Sequence, residues 1–125
     1  MTRLKITYQQ EFLATVEDEV KPLLNSHWEE VELDIDKIKL NPDWEVYRHL
    51  EDQGKLQIFT ARDSGELIGY FVVVVGINPH HKDHLFASND IIYLSPNHRK
   101  GFTGIKLIKF AEGCLKDDGV SVLTI

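Results

Sequence analysis

Ile91-Ile92-Tyr93-Leu94-Ser95-Pro96-Asn97-His98-Arg99-Lys100-Gly101-Phe102-Thr103-Gly104-Ile105-Lys106-Leu107-Ile108 is the stretch on which the reading of this chain turns. Its apolar start reads as a strand that Ser95-Pro96 ends. From Thr103 to Lys116 the spacing is that of a helix, with Leu107, Ile108, Ala111, Cys114 and Leu115 on one side and Lys106, Lys109, Glu112 and Lys116 on the other. Between strand and helix lies a basic turn containing glycine. The N–H groups of a first helical turn have no partner within the helix, the helix dipole adds positive charge, and glycine permits close approach, so such a turn suits a phosphate. Arg99, Lys100, Lys106 and Lys109 gather there in a chain of net charge -6, against the sign of the whole molecule.

Toward the C-terminus, Asp117-Asp118-Gly119 closes the helix, and Val120 to Ile125 reads as a strand whose near-unbroken apolarity predicts burial on both faces. Strand, helix and strand in this order form a β-α-β unit with parallel strands. Toward the N-terminus, Ser88 to Leu94 is the first of those strands, and Gly76 to Leu85, rich in His, Asn and Pro, reads as a loop. Leu56, Ile58 and Phe59, the turn Arg62-Asp63-Ser64-Gly65 and the run Leu67 to Val75 predict an antiparallel hairpin. A helix is expected over Pro42 to Gln53, with Asn41 as N-cap, Pro42 at its first position, Val46, Tyr47 and Leu50 on one side and Gly54 as its stop. Phe12, Val16, Val20, Leu24 and Trp28 recur every four residues on an earlier helix that Pro22 either kinks or begins. Leu4 to Tyr8 alternates as an opening strand, and Glu29, Glu30, Glu32, Asp34 and Asp36 read as a solvated connection.

With 125 residues, 42% hydrophobic and 27% charged, the chain holds one core, and residues 1–125 are expected to form a single domain. No apolar run approaches the length of a membrane span, and the first residues lack the apolar stretch of a signal peptide, so a soluble cytoplasmic protein without membrane contact is expected. The acidic balance argues against nucleic acid as a partner. Cys114, the single cysteine, excludes a disulfide framework and reads as a buried thiol on an amphipathic helix rather than a nucleophile. His80-His81-Lys82-Asp83-His84 carries metal-ligating residue types in no defined spacing and reads as a solvated loop, so no metal is expected. Ser95 and Ser121 have no partnered His and Asp spacing for a hydrolase triad.

The order strand, helix, helix, hairpin, strand, basic glycine turn, helix, strand resembles the GCN5-related N-acetyltransferase (GNAT) superfamily, its small bacteriophage members most closely, over nearly the whole chain. That family's signature is Arg or Gln, two residues, Gly, one residue, then Gly or Ala. Arg99 matches its first position and Gly104 its last, Phe102 stands where the middle glycine falls, and a glycine appears one residue earlier, at Gly101. The resemblance implies an α+β fold, with a mixed, mostly antiparallel sheet flanked by helices in the order β-α-α-β-β-β-α-β. The family's further helix and hairpin are lacking after the fifth strand, so a truncated chain, a reduced fold or a homodimer paired through the sheet edge is expected.

The resemblance also implies acetyl-CoA as cofactor. Its pyrophosphate would lie on Arg99, Lys100, Gly101, Phe102, Thr103, Gly104, Ile105 and Lys106, and its pantetheine arm along the strand end at Tyr93 and Leu94, where a backbone N–H would hold the thioester carbonyl. Asp90, with Ser88 on the same strand face, is the candidate base, and the acceptor is a small-molecule or protein amine attacked directly. The first two helices, with Trp28 and Trp44, would wall the acceptor site. The competing reading is a non-catalytic binding module, phage-encoded and directed at a host protein in the host cytoplasm.

Overall fold

The computed structural model describes residues 5–31 and 42–125, with the backbone alone for 29–31. Its elements are β1 (Ile6–Glu11), α1 (Leu13–Val31), α2 (Trp44–Asp52), β2 (Leu56–Asp63), β3 (Glu66–Asn78), β4 (His81–Leu94), a 3-10 turn (Pro96–His98), α3 (Thr103–Asp117) and β5 (Val120–Thr124). The five strands form one sheet in sequence order, antiparallel from β1 to β4 and parallel between β4 and β5. This is the expected α+β arrangement with its β-α-β unit.

Each face of the sheet has its own core. On one side α3 sets Leu107, Ala111 and Leu115, four residues apart, against Phe59, Ala61, Phe71, Val73 and Ala87. On the other, Leu13, Val16, Val20 and Leu24 of α1 meet Leu56, Ile58, Tyr70, Val72 and Tyr93, with Tyr47 and Leu50 of α2 packed beside them. The α1 stripe therefore begins at Leu13. Phe12, expected in it, precedes the helix and is 74% exposed. Pro22 neither starts nor stops α1, which continues past it to Val31 and takes Glu29 and Glu30 into its last turn. Glu32, Asp34 and Asp36 lie outside the described residues. Arg62, nearly buried, bonds Glu11 of β1 and Glu19 of α1, tying that helix to the strand pair.

Several local expectations are corrected. The opening strand runs to Glu11 rather than Tyr8. The N-cap of α2 is Asp43, whose carboxylate accepts from Val46 N at 3.2 Å; Pro42 precedes it, Asn41 lies outside the described residues, and Val46 faces solvent. The β2–β3 hairpin closes on Ser64 and Gly65, with φ of 51° and 90°, the primed turn whose twist matches the strands. The loop expected over Gly76 to Leu85 is instead the end of the β3–β4 hairpin, with a register shift between Ile77 and Asn78. Gly76 pairs with Phe86 and Ile77 with Leu85, and Pro79 and His80 alone make the turn, where Asn78 Oδ1 accepts from His80 N at 2.9 Å. The polar composition marks an exposed strand end, because backbone pairing needs no apolar side chains. Among the described residues no group of three His, Cys, Asp or Glu is placed to hold a metal.

β5 is not buried on both faces. It lies at the end of the sheet order with α3 on one side only, so Val120 and Leu123 pack toward α3 while Val122 is 41% exposed. No described helix is long and apolar enough to cross a membrane.

Candidate active site

β4 has two halves. Leu85 to Ser88 pair with β5, and that pairing stops at Ser88↔Thr124, leaving Asn89 to Leu94 with β3 on one side and no β5 partner on the other. The halves meet at a β-bulge. Asn89 pairs with Val73 and Ile91 with Val72, so Asp90 is the extra residue. Because side chains alternate along a strand, the insertion reverses the faces. Ala87 packs on the α3 side before it, whereas Ile91 and Tyr93 pack on the α1–α2 side after it. Ser95 N donates to Ile68 O of β3 at 2.7 Å, and alternation back from there turns the main-chain groups of Ile92 and Leu94 to the open edge.

Arg99 Nε donates to Leu94 O at 2.8 Å, and its guanidinium stands 5.7 Å from the Tyr93 ring centre, so this residue joins the basic turn to the strand end. Gly101 has φ +96°, where a Cβ is strained. Phe102 is the N-cap of α3 and provides no side-chain acceptor. The first bond of the helix runs from Lys106 N to Phe102 O, at 2.9 Å, so the N–H groups of Thr103, Gly104 and Ile105 have no acceptor within it. Phe102 needs no glycine-like freedom, with φ -108° and its ring 71% exposed. A Cβ on Gly104 would come within 3.6 Å of Leu94 Cδ2, which shows how closely the first turn of α3 lies against the end of β4. Behind the turn His98 Nε2 lies 3.0 Å from Asp63 Oδ2; mainly through this bond, helped by the Lys5 N–H, the Asp63 carboxyl is held below the usual carboxylate range.

On the α1–α2 side Asp90 reaches a cavity of about 300 Å³ walled by apolar residues of both helices and the sheet, Trp28 and Trp44 among them. Tyr47 Oη donates to Asp90 Oδ2 at 2.8 Å. Burial, and then the neighbouring carboxylate, push the Tyr47 hydroxyl up to about 12, so it stays protonated as a donor at neutral pH. Asp90 also lines an adjoining recess with Leu24, His27, Trp28, Asn89, Ile91 and Ile92. Ser88 is apart from both, exposed in a shallow depression with Val74, Ile77 and Phe86 on the paired half of β4. Cys114 is partly buried on α3, and burial pushes its thiol up.

The residues predicted from Tyr93 to Lys106 thus surround one junction, and Asp90 opens beside it into the cavity. Tyr47 is the polar member of this site that the sequence does not point to. Tyr47 lies 43 positions from Asp90 on an otherwise ordinary helix face, and no sequence signal connects them.

A five-stranded, mostly antiparallel sheet whose parallel last pair separates beside an uncapped helix start is the GNAT fold. Among similar solved structures is a ribosomal-protein-alanine N-acetyltransferase from Brucella melitensis biovar Abortus 2308, with TM-score 0.69 and 21% identity over 96% of this chain and 78% of that one. An aminoglycoside acetyltransferase from an uncultured soil metagenomic sample, in complex with sisomicin, gives TM-score 0.74 at 15% identity over 96% and 76%. A protein described as a predicted acetyltransferase from Clostridium acetobutylicum, solved with acetyl-CoA, gives 0.69 at 12% over 97% and 80%. No protein-family model matches the chain, and no curated protein matches its sequence. At these identities the likeness establishes the fold.

Proposed function

We propose that the chain is an acetyl-CoA-dependent N-acetyltransferase that acts on a primary amine. One observation carries this reading: the open half of β4 and the uncapped first turn of α3 meet at the same point, so a strand edge and an anion cradle adjoin. The acetyltransferases among the similar folds support it.

The residues present fit the donor. Main-chain N–H groups of Thr103, Gly104 and Ile105, with Lys100 and Lys106 beside them, suit a pyrophosphate, and the main-chain groups of Ile92 and Leu94 suit an acylated pantetheine arm. Acetyl-CoA, when bound, supplies an acyl group activated as a thioester. Leu94 N–H is the proposed donor to the carbonyl oxygen; Leu94 O is held by Arg99, which leaves the main-chain groups of Ile92 to the pantetheine amides. Asp90 orients the amine and takes its proton directly or through water, while Tyr47 fixes one carboxylate oxygen and leaves the other to the acceptor. An ammonium gives up two protons overall; one ends on the sulfur of CoA and the other in water.

Gly104→Pro tests the cradle. Gly104 is the second residue of α3, where proline removes an N–H that bonds nothing within the helix. By calorimetry the wild-type chain should bind acetyl-CoA in the micromolar range, and the variant at least about tenfold more weakly, the share of one hydrogen bond to a charged group. Equal affinities in two folded proteins would contradict the assignment.

A further inference from the structure

We infer that the acceptor is a primary amine carried on a compact apolar, preferably aromatic, body, rather than an amino sugar or a polyamine. The inference rests on the proposed acetyl transfer and names the substrate class of that same site.

The cavity below Asp90 decides it. About 300 Å³ between α1, α2 and the sheet is far more than the gaps of a close-packed core, and its walls include Val16, Val20, Ile58, Val72, Trp28 and Trp44. Among the described residues of that lining Asp90 alone has a carboxyl or amino side chain, and Tyr47 holds it from a single side. A sugar amine would set several hydroxyls against a described lining that is mainly aliphatic and aromatic, and a polyamine would bring several charges to the one described carboxylate. An aryl ring on a short chain fills the space and delivers one ammonium to the carboxylate.

The test is calorimetric titration of the full chain with phenethylamine, ethylamine and glucosamine, each with and without CoA. Phenethylamine should bind in at least one of the two conditions, ethylamine at least about tenfold more weakly because it lacks the ring, and glucosamine not detectably. Asp90→Asn should weaken phenethylamine about tenfold while leaving acetyl-CoA affinity unchanged. Glucosamine binding as tightly as phenethylamine, phenethylamine binding in neither condition, or an Asp90→Asn protein that binds it undiminished would each overturn the inference. The amine titrations need no acetyl donor, so their failure is read separately from a failure of acetyl-CoA to bind.

Discussion

The two faces of the sheet are built to different standards. Under α3, the aromatic rings Phe59, Phe71 and Phe110 and the aliphatics Leu107 and Leu115 interlock, with Phe59 and Phe110 edge to face at 6.2 Å. Under α1 and α2, a comparable number of apolar side chains surrounds open space, and a carboxylate and a tyrosine sit at its border. The same chain can pack tightly, as the first face shows, so the second is, among the described residues, a cleft. One face is scaffold; the other, with the open edge of β4 between them, is where chemistry has room.

Matched substitutions would test that contrast most severely. Leu107→Ala, 1% exposed, should cost about 3 kcal/mol by urea unfolding, because the cavity it leaves is surrounded by rigid partners. Leu24→Ala removes the same atoms from a residue that lines the existing cavity and should cost less, about 2 kcal/mol. Equal losses would mean that the two faces are packed alike.

A smaller effect concerns the turn at the end of the open edge. Gly101→Ala forces a Cβ into φ +96° and should cost about 1 kcal/mol, with a parallel loss of acetyl-CoA affinity as the cradle shifts. No change in either would show that the turn relaxes freely and that its geometry is not what the ligand reads.

The smallest expected effect is the acid response of the anchor behind that turn. His98 holds the folded Asp63 carboxyl below its ordinary value, so the contribution to stability is complete above the usual carboxylate range and is lost as pH falls through the folded value. The melting temperature of Asp63→Asn should therefore fall below that of the wild type at neutral pH and converge on it in acid. A difference that persists unchanged into acid would refute this anchor.

The sequence exposes the junction because everything in it is contiguous: strand end, glycine turn and helix start lie within Ile91 to Ile108, and local periodicity marks each boundary. What it hides depends on distance or on register. The Tyr47–Asp90 bond spans 43 positions, and the bulge at Asp90 leaves no mark on composition, although it decides which way Ile91 to Leu94 point. The His, Asn and Pro content of Gly76 to Leu85 suggests a loop, while its backbone continues the ladder through Ile77↔Leu85 and, after a register shift, Asn78↔His81. The reverse applies to β5, whose apolar letters overstate its burial because only one side meets α3. Asp90 and Ser88 lie close in sequence, yet the cavity and the shallow depression divide them.

The central claim is that the acyl donor lies where β4 leaves β5 and α3 begins. Amide-resolved NMR of the full chain during titration with acetyl-CoA tests it most directly. The account predicts saturable shifts at the amides of Ile92, Leu94 and Gly101 to Ile105, with the amides of Asn78 and His80 at the other end of β4 unmoved. Shifts confined to other surfaces, or none at millimolar ligand, would contradict it.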